Sequence, residues 1–303
     1  MRTWITVYMI VLVSAMVIQS NGAEAEQKGE PFCGQTDPSK MMSIKGVHGG
    51  AGSMQFMGLL DGKLFESNLL YIHTGLIPPK SGIGEHIHRT IEEMFFAFNA
   101  PAEFTVNGKT ALLPSGSCVL CPMGSSHGIY NNSEETLLWI NIAVSKEKGR
   151  GDAIDYGDDL SNQEIESPAP FRWGNFDKSL LKNVGSAHEG KGEILNRRPW
   201  KDGNMETNWV RIGHCVLPPK TSIGYHQHTA TEEVYYVMSG TGRATVNDKT
   251  WDVGPGDAIP CTLKDSHGIY NNSDEDLDIF VLIVAMEKGV FGVQNWGDDL
   301  SDR

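Results

Sequence analysis

The 303-residue chain has no surplus of positive charge: 25 Lys and Arg stand against 38 Asp and Glu, a formal net charge of −13. Nucleic acids and anionic membranes both call for basic patches, so neither is an expected partner. Cysteine is scarce and odd in number, at five, which leaves no disulfide pairing to assign. Cys118 and Cys121 form a C-x-x-C spacing of the kind used in redox and zinc sites. On a strand, however, that spacing sends the two thiols to opposite faces, which favours buried small hydrophobes. No long stretch repeats its apolar residues at helical spacing, and after residue 18 no segment is apolar enough to span a bilayer.

The amino terminus is the exception to the last point. Arg2 is followed by an uncharged, mostly apolar run from Trp4 to Ile18 and then by Ser20-Asn21-Gly22-Ala23-Glu24-Ala25. A basic start, a short apolar stretch and small residues describe a cleaved secretory signal over residues 1–25, with a retained anchor as the alternative. The mature protein is then expected to be secreted or periplasmic, with no membrane contact after cleavage.

The dominant feature is an internal repeat with an offset of 140 residues. His86, His88, Glu93 and His127 recur without a gap as His226, His228, Glu233 and His267. The register extends to Pro78-Pro79-Lys80 and Pro218-Pro219-Lys220, to HGIYNNS at His127 and His267, and to GDDLS at Gly157 and Gly297. It reaches back to His48 and His188, each in a Gly-rich loop. A repeat on this scale makes the chain two copies of one domain. The predicted organisation is a signal over 1–25, an N-terminal segment over 26–41, one domain over 42–161, a linker over 162–181 containing Pro168-Ala169-Pro170, and a second domain over 182–303.

Within each copy, short segments rich in β-branched and aromatic residues alternate with Gly, Asn and Asp turns. Val234–Met238, Arg243–Val246 and Leu277–Ala285 are examples. Such spacing predicts an all-β fold, an antiparallel barrel or jelly roll in each half. Residues i and i+2 of a strand share a face, so His86 with His88, and His226 with His228, aim into one interior. A carboxylate five residues on and a histidine 34 residues beyond it join them only if the strands curl round a common axis. Three imidazoles and one carboxylate leave open positions on an octahedral divalent ion, where substrate, water or dioxygen can bind. Glu92 and Glu232 compete for the carboxylate role. Glu93 and Glu233 are preferred, because Glu233 stands seven residues before the expected turn at Gly240.

These residues resemble the two motifs of the cupin superfamily. Gly224-x-His226-x-His228-x4-Glu233-x6-Gly240 matches the first motif. Pro122-x-Gly124-x2-His127-x3-Asn131 matches the second. Ala100 and Thr262 replace an expected glycine and proline, and neither change removes a ligand. The resemblance implies a bicupin: two tandem double-stranded β-helix barrels, each holding Fe, Mn, Zn, Ni or Cu through the residues named. Export favours Cu and Zn, which bind most tightly where availability and affinity decide loading.

The halves differ beside the carboxylate: Phe95 follows Glu93 at +2, whereas Tyr235 follows Glu233. A tyrosine next to a divalent cation can serve as acid or base, which makes Tyr235 the candidate catalytic residue and the second domain the expected working site. Three readings follow, each with a small-molecule substrate or ligand and with homo-oligomerisation left open. The first is an oxidoreductase of the dioxygenase or oxalate-degrading type. The second is a lyase or isomerase that moves a proton through Tyr235. The third is a non-catalytic binding or storage bicupin, although storage bicupins have generally lost the ligands kept here. Asn131 and Asn271 fit N-glycosylation sequons, but their place in the second motif's turn gives them a structural role.

Overall fold

The computed structural model describes residues 33–201 and 203–303. The predicted signal and residues 26–32 of the 26–41 segment lie outside them. Among the described residues, no helix is long and apolar enough to cross a membrane.

The strands form two seven-stranded and two five-stranded antiparallel sheets, one of each size per repeat. Each pair of sheets closes round its own apolar interior. In the first half that interior includes Ile83, Phe95, Phe104, Val119, Ile129 and Trp139. In the second it includes Ile223, Tyr235, Ile259, Ile269, Ile279 and Val281. The expected strands at Val234, Arg243 and Leu277 appear as Thr231–Ser239, Gly242–Val246 and Leu277–Ala285. Gly240 follows the first of these with φ of 80°, a left-handed turn conformation that glycine adopts without a Cβ penalty.

A third apolar cluster belongs to both halves. Phe65, Ile72, Met94, Phe96 and Ile140 from the first pack with Trp200, Trp209, Ile212, Tyr236 and Phe280 from the second. The seven-stranded sheets therefore lie face to face, and their outward rows are as apolar as their inward ones. This explains near-continuous runs such as Leu277–Ala285, every residue of which is buried.

The segments outside the two predicted domains are built into them crosswise. Gly34–Gln35, ahead of the first domain, pairs with Asp257–Cys261 of the second. Trp173–Asn175, within the predicted linker, pairs with Ser117–Cys121 of the first. Each half thus lends an edge strand to the other.

All five cysteines are free thiols. Cys118 faces the shared cluster and Cys121 the first barrel's interior, the opposite-face arrangement expected of a strand. Burial pushes the Cys118 thiol up to about 12, which marks it as an inert core group.

Candidate metal centres

Strand Ser81–Ile87 carries His86, with His88 immediately after it. Ile91–Ala97 carries Glu93 and Ser126–Asn131 carries His127. In the second half Ser222–His228, Thr231–Ser239 and Ser266–Tyr270 play the same parts. His86 pairs with His127 in register, and His226 with His267, so the residues 34 or more apart in sequence become cross-strand neighbours. The structure brings both sets of four together: in each, one ligand atom per residue lies within 4.8 Å of all the others, and all eight residues are buried.

The hydrogen bonds fix which ring nitrogen faces the centre. Nδ1 of His86 lies 2.9 Å from the Gly84 carbonyl and Nδ1 of His127 lies 3.1 Å from that of Ser125. Nδ1 of His88 meets the carbonyl of Asp152. His226 and His267 repeat this with Gly224 and Asp265, at 2.9 and 3.0 Å. A carbonyl can only accept, so each Nδ1 donates to it and each Nε2 is the nitrogen turned inward, with those of His127 and His267 2.9 Å from Glu93 and Glu233. Nε2 of His88, His226 and His228 is buried with no hydrogen-bond partner. Convergent lone pairs, backbone-oriented rings and a carboxylate are what a resident divalent cation requires, and the residues fit one in both halves.

The electrostatics agree. Burial alone would raise Glu93, but His88, His127 and His86 outweigh it and hold the carboxyl well below its usual range. Burial likewise opposes charge on His88, yet Glu93 pushes that imidazole up to about 9. A proton thus balances the first cluster, and cation binding would release it. In the second half, burial drives His226 down to about 4, leaving its lone pair free at neutral pH.

Glu92 and Glu232, the competing carboxylates, point away from the centres. Glu92 crosses to the second domain and accepts from the Glu206 and Thr207 amides at 2.8 and 2.7 Å and from the Thr207 hydroxyl at 2.6 Å. Glu232 crosses back and accepts from the Glu66 and Ser67 amides, both at 2.8 Å. Adjacent glutamates therefore divide their work by strand alternation, one to the barrel interior and one to the domain interface.

His48 and His188 lie against the two clusters. Each occupies a left-handed turn, with φ of 51° and 52°, and each lies flat on a cluster histidine. The ring centroids are 3.8 Å apart for His48 on His86 and 3.7 Å for His188 on His226. Asn131 and Asn271 are fully buried, their amides bonded to the Ile77 and Leu217 carbonyls at 2.8 Å. This is the structural role given by their turn.

Two residues escaped the sequence comparison. Tyr71, on Leu69–Ile77, donates its hydroxyl hydrogen bond to Oε1 of Glu93. The first centre therefore has a tyrosine of its own, supplied by a different strand from the one that carries Tyr235. At the equivalent place in the second half stands Arg211, with Nη2 3.8 Å from Oε1 of Glu233. The signal was available in the 140-residue offset between 71 and 211, but nothing in sequence placed that strand against the glutamates. Tyr235 is fully buried, its hydroxyl lacks a hydrogen-bond partner, and its ring lies 5.8 Å from that of His267. Burial first, and then the charge of Glu233, raises it well above the ordinary tyrosine range, with Arg211 acting weakly the other way. The protein around it thus favours the protonated phenol.

The cupin domain family matches twice, over residues 74–143 and 213–284. An oxalate-binding protein of Thermotoga maritima is 27% identical over 105 residues, covering 35% of this chain and 87% of that protein. Among solved structures, an oxalate decarboxylase variant from Bacillus subtilis superposes with a TM-score of 0.61 at 15% identity, covering 90% of this chain and 81% of the other. Salicylate 1,2-dioxygenase from Pseudoaminobacter salicylatoxidans gives 0.60 at 15% identity over 80% and 77% of the chains. With one matched domain and one His3Glu cluster in each half, the chain belongs to the cupin superfamily as a bicupin.

Proposed function

We propose that this bicupin is an exported, metal-dependent oxidoreductase of the dioxygenase or oxalate-degrading type, acting on a small organic acid at its second domain. The observation that carries the choice of domain is the state of the two tyrosines. The Tyr71 hydroxyl is committed to Glu93 by a short hydrogen bond, whereas the buried Tyr235 hydroxyl, although it lies near Glu233, makes no hydrogen bond of that geometry. The names of the relatives, which speak of oxalate and salicylate, support a small carboxylic acid as the substrate. The signal-like amino terminus supports export.

His226, His228, Glu233 and His267 would hold the ion, which we take to be Fe or Mn rather than the Cu or Zn that export alone favours. Oxygen-dependent turnover needs a redox change that Zn cannot supply, and the Bacillus subtilis decarboxylase is described with Mn(II) centres. Bound there, a redox-active divalent ion supplies open coordination positions and one-electron chemistry. The chain's own residues do the rest. The Gly224 and Asp265 carbonyls keep the His226 and His267 lone pairs turned inward. His188 backs the His226 ring and holds its plane. Tyr235 offers a protonated hydroxyl to a ligand in a site from which bulk water is excluded.

That protonated hydroxyl also suits a second reading, a lyase or isomerase in which Tyr235 delivers a proton. A third, a carboxylate-binding protein without turnover, has support from the Thermotoga relative. Paired variants separate them. For consumption of oxalate and salicylate, Glu233→Ala should abolish activity and Glu93→Ala should reduce it less. Equal losses, or a greater loss from Glu93→Ala, would mean that the working site is wrongly chosen. Tyr235→Phe should leave an oxygen-dependent reaction within about tenfold, because a general acid or base contributes about 10² to 10⁴ only where a proton must move. Anaerobic turnover abolished by Tyr235→Phe would establish the lyase or isomerase. No turnover with either acid, under air or without it, would leave the binding protein.

A further inference from the structure

The repeat offers an internal control: any residue that differs between equivalent positions of two otherwise matching barrels marks what one site does and the other does not. On the strands that flank each glutamate, the first half carries Phe56, Tyr71 and His73 where the second carries Asn196, Arg211 and Gly213. In the first half these three form an aromatic plug. Tyr71 and His73 are stacked with centroids 4.0 Å apart and planes 2° apart, and Phe56 meets His73 edge-on at 5.6 Å. Burial drives His73 down to about 4, so it is a neutral wall at working pH.

The second half has no such plug. Gly213 stands where the first half has His73, and a Cβ added there would already touch the Arg197 carbonyl, the Asn196 amide and Val281 at 3.8 Å, so no ring walls the site from that position. Arg211 replaces the tyrosine that bonds the first glutamate, but at 3.8 Å it makes no hydrogen bond to Glu233. Its Nε is buried without a partner, and its side chain keeps 21% of its surface. Arg198 stands where the first half has Gly58, close enough to Arg211 that repulsion between the two guanidinium groups lowers its pKa. Arg211 is thus a cation near Glu233 with no hydrogen bond to it and with its Nε buried and unpartnered, and an entering anion would supply the missing partner.

We propose that the two centres are functionally unequal: Arg211 anchors the carboxylate of an incoming ligand at the second, while the Tyr71–His73 plug closes the first to ligands and makes it a structural site. This rests on the small-acid reading above and adds which centre takes the acid and which residue holds it. Guanidinium is the group best shaped for this, because its planar fork can meet both oxygens of a carboxylate.

The test is calorimetric titration of oxalate, and separately of salicylate, into Mn-loaded full-length protein, with metal content checked for each variant. The expected result is one equivalent of acid per chain although two ions are bound. Arg211→Tyr installs the residue that the first barrel already tolerates and should weaken binding by about 10- to 100-fold, the worth of a charge-assisted hydrogen-bond pair. Arg211→Lys should recover part of that loss. His73→Gly combined with Tyr71→Arg should add a second equivalent. Two equivalents in the unaltered protein, unchanged affinity in Arg211→Tyr, or no binding of either acid would each overturn the proposal. Binding of one equivalent through Arg211 with no turnover would instead refute the enzyme and leave the anchor standing.

Discussion

At the scale of single residues, neighbouring positions with the same side chain carry different work. Glu92 and Glu93 are chemically identical and adjacent, yet one ties the two domains together and the other faces three imidazoles. Glu92→Ala should strand the buried Thr207 amide and hydroxyl and free the part-buried Glu206 amide, destabilising the protein by about 3 kcal/mol while both centres still take up metal. Glu93→Ala should empty the first centre and also destabilise the protein, because it strands the Tyr71 hydroxyl and leaves His88 without its buried counter-charge. Urea unfolding together with metal analysis checks both, and loss of metal from Glu92→Ala would reverse the assignment. The pocket shows the same point: comparing only Phe95 with Tyr235 concealed Tyr71, since position along one strand says nothing about which other strand lies opposite.

At the scale of elements, the exchanged edge strands are the least expected feature. Gly34 pairs with Ala258 of the second domain while a Cβ on it would lie 2.5 Å from the Leu59 carbonyl of the first. Gly174 is equally confined, against Cys118, Pro199 and Trp200. Only glycine lets backbone from one half pass so close between the sheets. Gly34→Val should therefore destabilise by about 2 kcal/mol through overpacking, with faster amide exchange in Asp257–Cys261 of the second domain and little change in Ser117–Cys121 of the first. Faster exchange confined to Ser117–Cys121 would contradict the crosswise pairing.

At the scale of the whole molecule, two barrels with separate interiors share a third apolar cluster. Metal binding and folding should therefore divide differently. Elemental analysis of metal-saturated protein should give two ions per chain, and His226→Ala should give one, since each ligand set closes within its own barrel. Thermal unfolding should nevertheless proceed in a single calorimetric transition, because exposing the shared cluster uncovers both halves at once. Two well-separated transitions, or loss of both ions in His226→Ala, would show that the halves are coupled in the opposite way.

From the sequence alone, the 140-residue register determined the number of domains, the all-β pattern determined the fold class, and the H-x-H, Glu, His spacing named the eight residues that the fold then gathers. These were legible because strand alternation and repetition are local rules, written along the chain. The crosswise strands, the interdomain role of Glu92 and Glu232, the stacking of His48 and His188, and the contrast between Tyr71 and Arg211 were decided only in the tertiary structure. Each depends on which strand lies beside or opposite another. That is set by burial of apolar faces contributed by residues far apart in sequence, which no local pattern encodes.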